Sequence, residues 1–594
     1  MAESIIPEGV ADTEGPARGG SFLFEPVGAR PFMTPEKFTD LQRQFYQTGH
    51  DFSSREVSTR AALLEKKDNP LLRELLVKAG DLGLLGVDIG DELGGLGLDK
   101  TTSMLVAESQ AQDYGGWSTT FGAHVGIGTL PIVFFGTPAQ KAKYLPDLAT
   151  GKKVAAYALS EAGSGSDALG ARTVAKLSPD GKHYVVNGGK MWITNGGFAD
   201  VYVVFLQVEN GGFTAVIVER GTPGFSSGRE EHKLGIRGSS TTPLIFEDAL
   251  IPVENVLGEI GKGHKIAFNI LNVGRLKLAA FAIGGMKAAL HGGIAYAAQR
   301  KQFGKLISSF GLIREKLAKS AAQIYAVEAM TYRASGAIDD LIGEKTDAKS
   351  VMNAIEEYAI EASIMKVAGS EMLFQTIDEM LQIHGGNGFV EDYPIERAYR
   401  DNRVNRIFEG TNEINRLLIP GMVFKRAMKG EMPLFEAVQR LDDELADPRH
   451  FPAPVGRLAP ERRGAELAKR QFLFAAKWAS TLGPALEERQ EVLAALADCA
   501  IEVYAMDSIL GRTLATGDRA ELRDALCRSY CNESRERAFS RARDALCAVV
   551  PADEVGAAIS QLGKLHDFIP VNGAAVREQI VPALLESGKY PLAY

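Results

Sequence analysis

Apolar residues recur at helical spacing early in the chain, where Leu72, Leu75 and Leu76 fall on one face. Gly80 follows this stripe, at a position where glycine commonly ends a helix. Shorter apolar stretches, separated by glycine-rich loops, come next. The pattern over residues 35–153 therefore predicts a helical domain.

The pattern changes near Val154, where short apolar runs replace the helical spacing. Asn187-Gly188-Gly189 and the Glu-Asn-Gly-Gly sequence at 209–212 each lie between two such runs, which predicts two β-hairpins. Residues 154–262 are therefore expected to form a β domain.

Helical spacing returns at Gly263 and is typical of a four-helix bundle. The long helices that it predicts lie at about 263–300, 310–336, 348–384 and 412–426. A further helical unit follows, and its apolar stripe consists of Leu467, Phe474, Trp478 and Leu482.

Together these patterns predict an α+β fold that is mainly α. Its parts are an N-terminal helical domain, a central β domain resembling a barrel or sandwich, a C-terminal four-helix bundle and an extra helical C-terminal domain. The predicted boundaries are 1–34 for an N-terminal arm, 35–153 for the helical domain, 154–262 for the β domain, 263–428 for the bundle and 429–594 for the extension.

Composition narrows the function. The chain has 66 Lys and Arg against 75 Asp and Glu, a net charge of −9, which argues against a nucleic-acid partner because phosphate binding needs a basic surface. Its four cysteines are too few for a disulfide framework and favour a reducing compartment. Cys527 and Cys531 are interpreted as packing residues, and no metal site is predicted. The acidic start lacks signal-peptide features, so a cytoplasmic location is expected.

Three motifs carry candidate chemistry. Residues 158–170 (ALSEAGSGSDALG) predict a strand that leads into a loop of small and hydroxyl residues, where backbone N–H groups can approach a polar ligand. A plain surface loop is the alternative. Residues 382–401 begin with a helix that ends in a glycine cluster, which by itself is only a helix terminus.

The third motif, residues 406–414 (RIFEGTNEI), places a carboxylate on a glycine-containing loop ahead of a helix. Glu409 follows Ile407 and Phe408, so partial desolvation would raise its pKa and suit it to act as a base. A solvated loop glutamate is the alternative.

The three motifs, in this order on a helix–β–helix chain, resemble the acyl-CoA dehydrogenase family. The resemblance covers about residues 40–426 and is strongest to the very-long-chain type, which has a C-terminal helical extension of similar size. It implies FAD-dependent α,β-dehydrogenation of long-chain fatty acyl-CoA to trans-2-enoyl-CoA in fatty acid β-oxidation. Electrons would pass to an electron-transfer flavoprotein.

The resemblance also assigns the base. Glu409 matches the glutamate that removes the α proton while a hydride leaves the β carbon for flavin N5. Some members place the base on a bundle helix, one residue before an arginine. Here that position is Gly274, before Arg275, so the alternative base is absent.

Further site residues follow from the resemblance alone. The residues expected to contact substrate are Ser166, Asn272, Arg275 and Gly410. Those expected to contact FAD within the subunit are Tyr157, Leu159, Ser160, Gly165, Ser166, Trp192, Ile193, Thr194, Thr411 and Glu413. Those expected at an FAD site shared between subunits are Arg300, Gln302, Phe303, Phe310, Gln382, Gly385 and Gly386. Many members have Gln in place of Glu413, whose charge would be unfavourable beside the FAD diphosphate.

The resemblance implies a homodimer, because the extension takes up the space that a second dimer occupies in tetrameric members. Peripheral contact with the inner membrane through the extension is an alternative to a purely cytoplasmic protein. Small residues at Gly122 and Ala123 would permit a deep fatty-acyl tunnel. Two other functions stay open, an acyl-CoA oxidase and an assembly or scaffold protein on the same fold.

Overall fold

The computed structural model describes residues 17–112, 114–345, 347–568, 570–592 and 594. Helices form the first domain, and α1 begins at a capping box in which Thr39 and Gln42 exchange side-chain and backbone hydrogen bonds. The helices of this domain are α1 (Asp40–Phe52), α2 (Ala61–Leu64), α3 (Asn69–Asp81), α4 (Lys100–Gln110), α5 (Gly115–Gly122), α6 (Leu130–Phe135) and α7 (Pro138–Ala149).

The middle of the chain forms a mixed sheet. Its strands are β1 (Ala155–Ala158), β2 (Val174–Leu177), β3 (His183–Thr194), β4 (Val201–Val208), β5 (Gly212–Glu219), β6 (Phe225–Ser227), β7 (Thr241–Pro252) and β8 (Val256–Leu257). The order is β6-β7-β3-β2-β4-β5-β8, and β1 pairs with β4 in parallel.

One predicted hairpin is confirmed and the other is wrong. Strands β4 and β5 pair antiparallel around residues 209–212, as expected. At Gly188, by contrast, β3 continues as one strand with a φ of 141° and a register irregularity against β7. The Asn-Gly-Gly sequence is absorbed as a bulge because β3 pairs with β2 on one side and with β7 on the other.

Long helices form the next domain. They are α8 (Gly263–Ala297), α9 (Gly311–Ile342), α10 (Ala348–Glu357), α11 (Ala359–His384), α12 (Pro394–Asn402) and α13 (Asn412–Met428), with a short hairpin of β9 (Lys301–Gln302) and β10 (Lys305–Leu306) after α8. The predicted helix at 348–384 is broken at Tyr358 into α10 and α11.

Two helical stretches, Gly115–Phe135 and Gly263–Ala297, are long and apolar enough to cross a membrane. In each, the apolar 18-residue segment is mostly buried, to 72% and 78% respectively. Buried core helices meet the same criterion. Helix α8 packs against α4, α9 and α11, which accounts for its apolar character on every side.

The extension packs against the bundle. Its helices are α14 (Leu434–Ala446), α15 (Ala459–Ser480), α16 (Gln490–Leu514), α17 (Ala520–Val549), α18 (Val555–Lys564) and α19 (Gly573–Ser587). Helix α16 contacts α9 and α13, and Arg416 of α13 forms a 2.7 Å ion pair with Asp498 of α16. Apolar residues of the extension belong to the same core as those of the bundle.

The apolar stripe of the extension faces inward. Leu467 and Phe474 are buried in the core, and Trp478 and Leu482 are half-buried against it. Lys469 and Arg470, on the same helix, form ion pairs with Asp507 and Glu444.

The predicted N-terminal arm lies partly outside the described residues. Its described part packs against the other domains, with Phe22 and Leu23 buried. The backbone N–H of Val27 donates to Glu466 of the extension at 2.6 Å. This segment therefore joins the extension to the rest of the fold.

Candidate active site

Two cavities meet beside the loop that precedes α13. One, here called the β-side cavity, has a volume of about 1120 Å³ and lies between the β domain and the bundle. The other, here called the helical cavity, has a volume of about 1030 Å³ and lies among helices of the first domain and the bundle. Phe408 and Glu409 line both cavities, so ligands in the two can reach the same carboxylate.

Most of the predicted site residues line the β-side cavity. They are Tyr157, Leu159, Ser160, Gly165, Ser166, Trp192, Ile193, Thr194, Asn272, Arg275, Glu409, Gly410 and Thr411. They come from β1 and the loop after it, the end of β3, one face of α8 and the loop that leads into α13. Residues that are distant in sequence thus converge on one site.

The walls of the β-side cavity suit a planar ligand with polar edges. Trp192 has a φ of 57° and is 56% exposed, so its indole leaves an aromatic face free instead of anchoring the sheet. The hydroxyl of Tyr157 is buried and has no hydrogen-bond partner among the described residues. Ser160 and Thr194, whose side chains carry hydroxyl groups, also line the cavity.

The loop that carries Glu409 is held in a strained conformation. Glu409 has a φ of 59°, in the region that favours glycine, and Gly410 follows with a φ of 77°. Arg275 donates from Nε to the Glu409 carbonyl at 3.3 Å, and Asn415 donates from Nδ2 to the Gly410 carbonyl at 2.9 Å. The loop thereby fixes the side chain between the two cavities.

The electrostatics of Glu409 suit a base. Its Oε2 atom is buried and has no hydrogen-bond partner among the described residues. Burial raises its pKa to about 7, although the charges of Arg275 and Lys366 lower it. A carboxyl with a pKa near neutrality is a stronger base than a free glutamate and is still ionised in part at pH 7.

Gly274 leaves space for this carboxyl group. A Cβ atom added at position 274 would lie 2.3 Å from Oε2 of Glu409. Only a residue without a side chain therefore permits the observed position of Glu409.

Lys366 and Asn412 were not predicted as site residues. Lys366 is fully buried on α11, and its Nζ donates to Oδ1 of Asn412 at 2.6 Å. Burial lowers the pKa of Lys366 to about 7, while Glu409 opposes this shift. Asn412 begins α13 directly after the catalytic loop, so Lys366 connects the core of the bundle to that loop. A lysine inside the apolar sequence of α11 was the available signal.

Other predicted residues lie away from both cavities. Arg300, Gln302 and Phe303 lie in or beside the β9–β10 hairpin, and Phe303 is 92% exposed. Phe310 lies beside Phe303, with ring centroids 6.2 Å apart. The remaining ones are exposed and comprise Gln382, Gly385, Gly386 and Glu413.

The site combines a buried carboxylate with two ligand-sized cavities, one of which is lined by an open indole. Such a site is typical of an enzyme that takes a proton from a substrate held beside a planar ligand. Comparison with known families agrees with this class. Residues 39–152 match the N-terminal domain of acyl-CoA dehydrogenases, residues 156–249 the middle domain, and residues 261–422 and 467–564 two C-terminal domains. This chain belongs to the acyl-CoA dehydrogenase family.

Similar proteins extend over nearly the whole chain. A probable acyl-CoA dehydrogenase of Bacillus subtilis (strain 168) is 46% identical over 96% of this chain and 98% of its own length. The mitochondrial very long-chain specific acyl-CoA dehydrogenase of Rattus norvegicus is 35% identical over 88% of this chain and 84% of its own. The crystal structure of an acyl-CoA dehydrogenase complexed with FAD from Bacillus anthracis superposes with a TM-score of 0.95, at 45% identity, over 97% of this chain and 100% of that one. The predicted family, fold class and enzyme class are confirmed.

Proposed function

We propose that this enzyme is an FAD-dependent dehydrogenase of long-chain fatty acyl-CoA that forms trans-2-enoyl-CoA and passes electrons to an electron-transfer flavoprotein. The observation that carries this proposal is the Glu409 carboxyl, which has a raised pKa and lies between two cavities of complementary character. One cavity suits a flavin and the polar part of a thioester, and the other suits an acyl chain.

The residues of the β-side cavity fit FAD. The open indole of Trp192 and the hydroxyl of Thr194 are complementary to a flat aromatic ring with polar edges. The same holds for the hydroxyl of Tyr157, which has no hydrogen-bond partner in the described part of the chain. The related Bacillus anthracis enzyme is complexed with FAD. When bound, FAD accepts the hydride that leaves the β carbon of the substrate.

Glu409 takes the α proton. The proton next to a thioester is only weakly acidic, so the base must be held close to it in a site that excludes water. The strained loop and the contact from Arg275 to the Glu409 carbonyl orient the side chain, and Gly274 leaves the space that the carboxyl occupies. Because Oε2 of this carboxyl has no hydrogen-bond partner among the described residues, it is free to receive the proton.

The helical cavity accounts for a long acyl chain. Gly122, Ala123 and Gly126 line one side, and one face of α8 lines the other. Small residues leave space where larger ones would block it, as expected for a deep tunnel. Similarity to a very long-chain specific relative also supports a long substrate.

A homodimer would complete the flavin site. Gln302, Phe303 and Gly385 are exposed and line neither cavity of their own chain, which leaves them available to a second subunit. This supports the expected sharing of the cofactor between subunits. Analytical ultracentrifugation should show a dimer for the holoenzyme, and the apoenzyme is the comparison without flavin.

The decisive experiment is an anaerobic titration of the flavin band with butyryl-, octanoyl- and palmitoyl-CoA. We expect the wild-type flavin to bleach most strongly with palmitoyl-CoA and the flavin of Glu409→Gln not to bleach at all. The control variant Glu247→Gln, which changes an exposed glutamate, should bleach like the wild type. Bleaching that survives in Glu409→Gln would refute the assignment of the base. If air then reoxidises the flavin at the rate of turnover and yields peroxide, the enzyme is an oxidase.

A further inference from the structure

The helical cavity continues far beyond Glu409. The residues of α8 that line it include Gly274, Leu278, Phe281, Gly285, Ala289 and Gly292. They recur every three or four residues and therefore form one face of the helix. At 1.5 Å per residue, the face from Gly274 to Gly292 is about 27 Å long. One leaflet of a bilayer, by comparison, is about 15 Å of hydrocarbon.

The far end of this face is lined by another part of the chain. Lys589, Tyr590 and Tyr594, which follow the last helix of the extension, line the helical cavity together with Tyr46 and His50 of α1. We call residues 588–592 and 594 the closing segment. Because the same cavity includes Glu409 at its other end, the closing segment and the base lie at opposite ends of one space.

The closing segment is anchored to the dehydrogenase core. Tyr590 donates from its hydroxyl to Oε2 of Glu328 at 3.0 Å, and the Tyr594 hydroxyl donates to Glu108. Lys287 lies 4.1 Å from the Tyr594 ring centroid and pairs with both carboxylates at 2.7 and 2.6 Å. This buried network of hydrogen bonds and ion pairs keeps both rings in place.

A third anchor lies on α8 itself. Nδ1 of His291 is 2.9 Å from the carbonyl oxygen of Gly588, next to the cavity-lining Gly292. The ring of Tyr594 also packs edge-on against Tyr46, with centroids 4.9 Å apart. The far end of the cavity is therefore formed by rigid aromatic rings, whereas its middle is formed by glycine and alanine.

We propose that Tyr590 and Tyr594 form the end wall of the acyl-binding cavity and set the longest acyl chain that this enzyme accepts. This inference rests on the proposed function. It gives the extension a direct part in substrate selection, because the wall belongs to the segment that follows α19.

The test is a profile of kcat/KM against acyl chain length, from octanoyl- through palmitoyl- and behenoyl- to lignoceroyl-CoA, with the full-length holoenzyme. Tyr594→Ala opens the wall, so the ratio of kcat/KM for lignoceroyl-CoA to that for palmitoyl-CoA should rise, by about fourfold for each methylene newly accommodated. Tyr594→Phe, which keeps the ring, should bring the ratio back towards the wild-type value.

A second variant fills the cavity from the opposite side and keeps the inference testable if Tyr594→Ala fails to fold. A Cβ atom added at Gly292 meets no atom of the described residues within 4 Å, so Gly292→Leu adds bulk in front of the wall. It should lower kcat/KM for lignoceroyl-CoA at least tenfold more than for octanoyl-CoA. The matched control is Gly563→Leu, a helical glycine of α18 with equally open surroundings.

The outcomes separate the two proposals. An enzyme whose flavin is reduced by no acyl-CoA would refute the proposed function and, with it, this inference. Normal turnover with profiles of Tyr594→Ala and Gly292→Leu that superimpose on the wild type would refute the end wall alone. A profile moved to longer chains by the first variant, or to shorter chains by the second, supports it.

Discussion

Replacing Gly274 with alanine should separate catalysis from stability. The added Cβ would lie 2.3 Å from Oε2 of Glu409, whereas real Cβ contacts are at least 3.0–3.4 Å. The carboxyl must therefore move by about 0.7–1.1 Å. Displacement of a reacting group by about 1 Å can reduce the rate about a hundredfold, or about 2.7 kcal/mol in activation free energy.

The thermal stability of the Gly274→Ala enzyme, unlike its activity, should not decrease. Alanine is favoured over glycine inside a helix by about 1 kcal/mol. The Glu409 side chain borders two cavities, which leave it space to move. The control is Gly421→Ala on α13, where an added Cβ has no described atom within 4 Å. Both variants should match or exceed the thermal stability of the wild type, and only Gly274→Ala should lose activity.

The assay is anaerobic stopped-flow reduction of the flavin by palmitoyl-CoA, combined with thermal denaturation of the holoenzyme. A Gly274→Ala enzyme that reduces its flavin within threefold of the wild-type rate would refute the claim that this glycine determines the position of the base. A large loss of both activity and stability would refute it as well, because the carboxyl would then not be the group that yields.

Three further predictions follow from the electrostatics and the walls of the site. Glu409 must be ionised to act as the base, and its pKa is about 7, so the rate of flavin reduction should increase with pH up to about 7 and level off above it. A pH profile of the reduction rate without this rise would contradict the prediction. Lys366→Met removes a cation that lowers the pKa of Glu409, so the midpoint of that profile should move to higher pH. A lower rate without a shift of the midpoint would instead favour a purely structural role for Lys366. Trp192→Ala should weaken FAD binding by about 1 kcal/mol, or roughly fivefold in Kd, with recovery in Trp192→Phe, as measured by fluorescence titration of the apoenzyme.

The base could be predicted from the sequence, but its full environment could not. Ile407 and Phe408 indicated partial desolvation of Glu409, and the structure agrees in the direction of the pKa shift. The space for the carboxyl comes from Gly274, 135 positions earlier, and the nearby cations are Arg275 and Lys366. These contacts depend on the packing of α8 and α11 beside the loop, for which local sequence carries no signal.

The incorrect hairpin has a similar cause. Asn187-Gly188 is a strong local signal for a turn, but β3 has partners on both edges and gains more from continuous pairing than from reversal. The unusual backbone of Trp192 is likewise a consequence of tertiary structure. Nothing in the residues around it distinguishes a buried anchor from the exposed wall of a cavity.

The geometry also explains why a base occupies either the loop or the bundle helix, and not both. The family resemblance pointed to two alternative positions, here Glu409 and Gly274. With a Cβ at position 274 only 2.3 Å from the Glu409 carboxyl, a glutamate there would have to displace the loop carboxylate altogether. Two carboxylates so close would also oppose each other's ionisation. The site therefore admits one base, and glycine at position 274 commits this enzyme to the glutamate on the loop.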